Sequence, residues 1–471
     1  MSDVVQQEPQ QPTGQADGTS SKTLKERMSF LEKTAFGAGD AACNLLFNPI
    51  TMFLSFFYTD IFGLTPAAVA TMFLVVRIFD AFFDPIYGAI LDNTRSKYGR
   101  YRKWMAVFTI PFAISCLIMF YTPEISYGLK VTYAFVTYLL LSLLYSAVNI
   151  PYCSLGNVVT SNAIDRVSCQ SFRFVGAGLA SLFCTLTLLP LVGFFGQGDR
   201  ATGFFWTISL FALLAIFLFF FCFFYTRERI QPRPGMEKES LTESFKKIIH
   251  NDQWLVCITL MFLDCMPSFI RGAVSIYFAI YILGFDEIAA SLFLTVGICS
   301  NIVGAYLTSV LTKRICKVTV YKATKICCIV LSLILWAIPS EQVFLIYVLF
   351  IVLSVIHQIA APIIWSFIAD VDDYGEYKLG QRASGLCTSG NLFTLKVALA
   401  VGGALVGMVL SITGYEANVP QQSESAIAGI YALMTWIPAI GYLLTFLTTQ
   451  FFYKLNRATM AKISHKLYAT E

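Results

Sequence analysis

Arg77, Asp80 and Asp84 stand in TMFLVVRIFDAFFDPIYGAILD, a stretch otherwise apolar enough to cross a membrane. Spacings of three, four and seven put all three side chains on one helical face. Charge at membrane depth is expensive, and it faces a bundle interior or a water-filled path. Two neighbouring carboxylates repel, so one keeps a proton or attracts a cation, with Arg77 moderating the pair. The alternative is a structural salt bridge to Arg77. Pro85 follows directly and removes a rung of the helical ladder, which is tolerated where protein or water satisfies the freed backbone. A cation or proton site on such a helix points to coupling with the movement of another solute.

Lys396 belongs with this group. In SGNLFTLKVALAVGGALVG it has no route by which to snorkel to an interface, so it requires the carboxylates at 80 and 84 or a substrate. A second set of residues suits a polyhydroxylated ligand. Asp40, Asn44 and Asn48 recur at intervals of four after the small-residue run AFGAGD, and the amides can bond hydroxyls. Tyr145, Asn149 and Cys153 share a face in YSAVNIPYCSLGN, and a ring beside amides fits a sugar, whose C–H face packs on aromatics. The competing reading of each asparagine is a bond between helices.

Arg173 has no acidic neighbour within one turn, whereas Asp165 and Arg166 read as an ion pair at a helix end. Asp264 and Arg271 are seven apart and share a face; Arg271 is a candidate counter-charge for an anionic substrate, or else the partner of a protein carboxylate. Gln358 and Trp365, also seven apart, flank a central cavity, and His357 is either a proton relay or the holder of one fixed hydrogen bond. Asp370, Asp372, Asp373 and Glu376 cluster at a helix end, where they pair across to basic loops and hold a gate.

The elements that must position these groups are membrane helices. The chain of 471 residues is 56% hydrophobic and 13% charged, too few charges to cover a water-soluble surface. Twelve apolar segments lie near 34–58, 65–92, 104–122, 128–156, 170–194, 201–225, 253–282, 287–311, 322–339, 343–370, 383–413 and 427–453. Positive charge concentrates in alternate connections, as in Arg95–Lys103 and 227–247, so both termini are placed in the cytoplasm. The basic clusters abut span ends and read as topology signals touching lipid headgroups, not as nucleic-acid sites. This gives an all-α membrane protein: a disordered tail (1–30), a six-helix bundle (31–225), a central loop (226–252), a second six-helix bundle (253–453) and a tail (454–471). The 13 cysteines show neither a disulfide framework nor a metal-ligand spacing, and no nucleophile–base set or cofactor motif emerges, so an enzyme is not expected.

Several long motifs, FYTDIFGL, RIFDAFFDPIYGAILDNTRSKYGRYRKW, NIPYCSL and IADVDDYGEYKLGQRASG, make the chain resemble the glycoside–pentoside–hexuronide:cation symporters from about residue 33 to 453. These belong to the twelve-helix major facilitator fold. The resemblance implies a monomeric symporter of a sugar or glycoside in a bacterial inner membrane. It places the coupling H+, Na+ or Li+ on Asp80 and Asp84, with Lys396 and Arg173 as the matching cations. Sugar recognition would fall on Asn44, Asn149, Cys153 and Trp365, and Asp92, Arg95 and Arg100 would brace the cytoplasmic gate. Melibiose permease, a member of this family, has acidic residues at the positions of Asn44 and Asn149, an asparagine at Phe83 and a tryptophan at Cys153. Melibiose is therefore not expected as the substrate, and because Phe83 offers Na+ no oxygen, H+ is preferred. IRGAVSIYF, around Arg271, resembles the xyloside and glucuronide carriers and favours a pentoside or an anionic glycoside.

Overall fold

A computed structural model describes residues 27–94, 96–230, 246–380, 382–416, 419 and 421–468. Twelve helical spans cross the molecule. The N-terminal six are α1 (Phe30–Phe56, running into a π-helical turn at Phe57–Ile61), α2 (Pro66–Asp92), α3 (Arg100–Met119), α4 (Tyr127–Val158), α5 (Ala163–Gly196) and α6 (Arg200–Tyr225). The C-terminal six are α7 (Asp252–Tyr277, with a π-helical turn at Phe278–Ile282), α8 (Glu287–Leu311), α9 (Lys317–Ala337), α10 (Val343–Leu379), α11 (Ser384–Ile412) and a last span broken at Thr435 into α12 (Glu424–Met434) and α13 (Trp436–Phe451). A short amphipathic α14 (Arg457–Tyr468) follows.

The sequence writes most of the helix starts. Ser29 and Glu32 form a capping box on α1, each side chain taking the other's backbone N–H at 2.9 and 3.2 Å. Asn162, Asp199, Asn251, Asp286 and Ser423 accept the first free N–H groups of α5, α6, α7, α8 and α12. Pro66 opens α2, where its missing donor costs nothing. Pro85 leaves α2 unbroken.

Two helices run well past the apolar segments that announce them. α5 begins seven residues before 170 and α10 ends nine residues after 370. Hydropathy marks where lipid ends, not where the backbone ladder ends, and the extra turns carry Asp165, Arg166 and the acidic cluster. Those charges therefore sit on rigid helix and not on loop.

Close packing fixes the pairings. A Cβ on Gly37 would strike the Phe172 carbonyl, and one on Gly176 would strike the Gly37 carbonyl, so α1 and α5 touch backbone to backbone. That contact holds Asp40 against Arg173. Between the bundles, Gly88 of α2 and Gly385 of α11 meet in the same way.

Gly176→Leu is expected to force α1 from α5 and to lower stability by about 3 kcal/mol or more. Fluorescence-detected size exclusion after heating, compared with Gly176→Ala, measures it; equal midpoints for wild type and the leucine variant would contradict the close contact.

Candidate functional site

One ionic group lies where α2, α4 and α11 meet. Asp80 and Asp84 are one turn apart and buried, and Ser142 and Ser146, one turn apart on α4, donate to them rung for rung at 2.6 and 2.7 Å. Lys396 comes from the other bundle: its Nζ is 2.6 Å from Asp84 Oδ2 and 3.6 Å from Asp80 Oδ2. The site is thus two carboxylates, two hydroxyls and one ammonium spanning the bundle interface. Arg77 is not part of it. It is exposed, and among the described residues it makes no ion pair. Although on the same face, it lies roughly 4.5 Å of helix rise beyond Asp80 toward the Thr65 end.

A second group sits on the N-terminal bundle facing α10. Arg173 Nε is 3.3 Å from Asp40 Oδ2, and its guanidinium lies 4.1 Å from the Trp365 ring centroid and 5.6 Å from Tyr152. Arg173 and Trp365 belong to opposite bundles, so this contact also crosses the interface. Asn149 Oδ1 accepts from the Cys153 thiol at 3.5 Å and the Cys43 thiol at 3.9 Å, and Tyr145 stacks on Phe47 at 4.7 Å. Asn44 bonds back to the Asp40 carbonyl at 2.8 Å within its own helix. Asn48 donates to Ser181 of α5 at 2.8 Å, a bond between helices. Gln358 packs with its Cβ beside Gly304 of α8.

At the end carrying the chain termini the bundles are latched. Asp92 accepts the N–H groups of Gly385 and Leu386 at 2.8 and 2.9 Å, and so caps the N-terminus of α11 from the opposite bundle. Tyr101 donates to the same carboxylate at 2.8 Å, with Arg100 at 3.6 Å. Arg95 lies outside the described residues. Asn157 bonds Thr388 at 2.9 Å. Arg166 reaches Asp373 at 2.6 Å and Asp370 at 3.7 Å across the interface. The expected Asp165–Arg166 pair does not form, because adjacent helical residues point about 100° apart. Asp165 turns instead to Lys33 at 2.6 Å and the Met28 N–H at 3.0 Å. Lys317 binds Asp370 at 2.6 Å, and Arg382 binds Asp372, Asp373 and Glu376. At the opposite end, among the described residues, no hydrogen bond, ion pair or ring contact joins the bundles beyond the level of Lys396 and Trp365.

Inside the C-terminal bundle, Asp264 pairs with Lys325 of α9 and accepts from Tyr321 at 3.0 Å. It does not pair with Arg271, which stands near Phe350, its guanidinium 6.0 Å from that ring. Sequence reasoning passed over Lys325, Ser142, Ser146 and Arg382. The serines repeat the spacing of Asp80 and Asp84, and Lys325 is the innermost of three lysines in α9, as Asp264 is an anion well inside α7; those were the available signals.

The family described as MFS/sugar transport protein matches residues 35–457. The chain belongs to it. The inner membrane symporter YicJ of Escherichia coli (strain K12) is 38% identical over 442 residues, 94% of this chain and 95% of the relative. The isoprimeverose transporter of Lactiplantibacillus pentosus is 35% identical over 92% of this chain and 90% of its own. Such relatives place the chain among the glycoside–pentoside–hexuronide:cation symporters. The fold agrees with that of the major facilitator FucP in its outward conformation, at TM-score 0.66 and 14% identity over 89% of this chain and 97% of that one. A bacterial ferroportin homologue, outward-facing, gives 0.64 at 14% identity over 89% and 98%. The protein is therefore a multi-pass inner-membrane secondary transporter of a small solute, not an enzyme.

Asp92→Asn keeps the shape but removes the charge that meets the α11 N-terminus. Removing roughly 1.4 kcal/mol of latch should raise alkylation of the buried Cys387 by a permeant maleimide about tenfold. Unchanged labelling would mean that Asp92 does not hold the bundles together.

Proposed function

We propose that this chain is a proton-coupled symporter of a glycoside, pentoside or hexuronide. The observation that carries the proposal is the charge count at the interface. Asp80 and Asp84 have one ammonium between them, Lys396, so when both are ionised one negative charge stands uncompensated in the bilayer. A single proton restores neutrality. Sodium is a hard ion that wants several oxygens; here the space beside the carboxylates holds an ammonium, the serine hydroxyls already bond the carboxylates, and Phe83 contributes none.

The substrate class rests on chemistry and kinship together. A guanidinium, an indole and an amide, from Arg173, Trp365 and Asn149, offer a stacking plane flanked by polar groups, the recognition surface a sugar needs. The isoprimeverose transporter and, at 30% identity, the glucuronide carrier protein homolog of E. coli are named for such solutes. One chain holds both bundles and the whole site, which supports a monomer.

The latched end carries Arg100, Arg102, Lys317 and Arg382, and the positive-inside rule makes it cytoplasmic with both termini. The described state then opens outward. Protonation of Asp84 or Asp80 from outside loosens the hold of Lys396, sugar bridging Arg173 and Trp365 draws the bundles together, and the cytoplasmic latch gives way. By linkage, sugar raises proton affinity by the factor by which protons raise sugar affinity.

In de-energised vesicles, adding a transported pentoside or glucuronide should make a lightly buffered medium more alkaline, and a protonophore should abolish the signal. Asp84→Asn should lose uphill accumulation, inside and outside concentrations becoming equal, while retaining exchange of labelled for unlabelled sugar. Accumulation driven by a Na+ gradient at clamped pH would overturn the proton assignment.

A further inference from the structure

The C-terminal bundle contains a second charged centre that the coupling site does not use. It is built around Tyr442 of α13, which is fully buried. The Lys325 ammonium lies 5.5 Å from the Tyr442 ring, and the His357 ring from α10 packs against it at 5.5 Å. Arg271 of α7 reaches the same tyrosine, since the ionisable groups acting on Tyr442 are Arg271, Asp264 and Cys328. All four helices, α7, α9, α10 and α13, belong to one bundle. The centre therefore lies apart from the interface where Lys396, Arg173 and Trp365 stand.

Its charges do not balance. Asp264 is already matched by Lys325. Arg271 is 7% exposed, and among the described residues it has no carboxylate partner. A guanidinium cannot shed its proton to escape the bilayer. Around it, Arg271 Nε and His357 Nδ1 are buried without a hydrogen-bond partner in the protein, and Tyr442 Oη faces only the Arg271 guanidinium. Arg271 Nε and Tyr442 Oη carry hydrogens to donate, and His357 does so in the tautomer protonated at Nδ1. Unmatched buried donors are strongly unfavourable, and water could satisfy the bonds but not the charge.

We propose that this centre binds one small monovalent anion of the halide class, held by Arg271, Tyr442 and His357 inside the C-terminal bundle. The surplus is one positive charge, which selects a monovalent ion over sulfate or phosphate. The position on the bundle side of α7 selects an inorganic ion over the carboxylate of a substrate sugar, which would dock at the interface. Because α7, α9, α10 and α13 converge on it, the anion ties the bundle into a rigid unit without entering the coupling cycle.

The test is thermal unfolding of the purified full-length transporter in detergent at fixed Na+ and ionic strength, with chloride or bromide replacing gluconate. The expected result is a midpoint that rises saturably with halide, by roughly 3 °C or more at high concentration. Arg271→Gln should lose that rise; should it fail to fold, the wild-type halide titration alone decides. No difference between halide and gluconate in the wild type overturns the proposal, as does a full halide rise in a folded Arg271→Gln. A rise given by glucuronate and not by chloride also overturns it, and would assign Arg271 to the substrate's carboxylate instead.

Discussion

A charge inside hydrocarbon must be answered within a few ångströms, and this requirement decides which helices are neighbours here. Asp40 needs Arg173, and α1 lies on α5; Asp264 needs Lys325, whose long side chain reaches it from α9 without close packing of α7 on α9. Both pairs join helices of one bundle and can stay formed throughout any motion. Lys396–Asp84 and Arg166–Asp373 are different, because their members sit in opposite bundles. Any rocking of one bundle against the other must break or trade these two. The division into rigid body and moving joint is thus written in which carboxylate each cation meets.

The Arg166–Asp373 and Lys396–Asp84 ion pairs are broken by different means. The latch at the end where α1 begins and α13 finishes uses Asp92 on the N-terminus of α11 and Arg166 on Asp373. When those groups part, water entering the opened end takes each vacated place. The same device appears within the N-terminal bundle without any need to move: Glu228 accepts the N–H groups of Arg100, Tyr101 and Arg102 at 2.8–2.9 Å and fixes the start of α3. Lys396 and Asp84 have no such exchange available at the middle of the bilayer. There a proton is the cheapest substitute for a departing ammonium, since it neutralises the carboxylate without needing a coordination shell.

The fold was legible because membrane helices obey one rule that a sequence displays directly: about 20 apolar residues between polar connections. Twelve were expected and twelve are found among the described residues, and the largest boundary errors, at the start of α5 and the end of α10, fall where helices outrun the apolar segments. The candidate site was legible by type and not by partner. Asp80, Asp84 and Lys396 declare themselves because nothing apolar can accommodate them. Whether Asp80 meets Arg77 or Lys396 depends on how far the bundles have parted at that level, which helical spacing does not encode. Arg166 was assigned to Asp165 on sequence adjacency, yet adjacency on a helix separates side chains. Ser142 and Ser146 were passed over because hydroxyls in apolar spans are common; only opposite a matched pair of carboxylates does their spacing acquire meaning.

The exposures within the coupling group order its events. Asp80 and Asp84 are 4% and 1% exposed, while the Lys396 side chain is 23% exposed. The ammonium thus stands between the carboxylates and any water from the open end, and in the proposed proton coupling Asp84 is reached only as Lys396 swings off it. Once Asp84 is neutral, Lys396 keeps Asp80 at longer range, and the group carries no net charge. A neutral group crosses the closed state without the penalty a bare carboxylate would incur. The proton coupling proposed above needs no long-range signal, because the residues assigned to the proton also join the bundles.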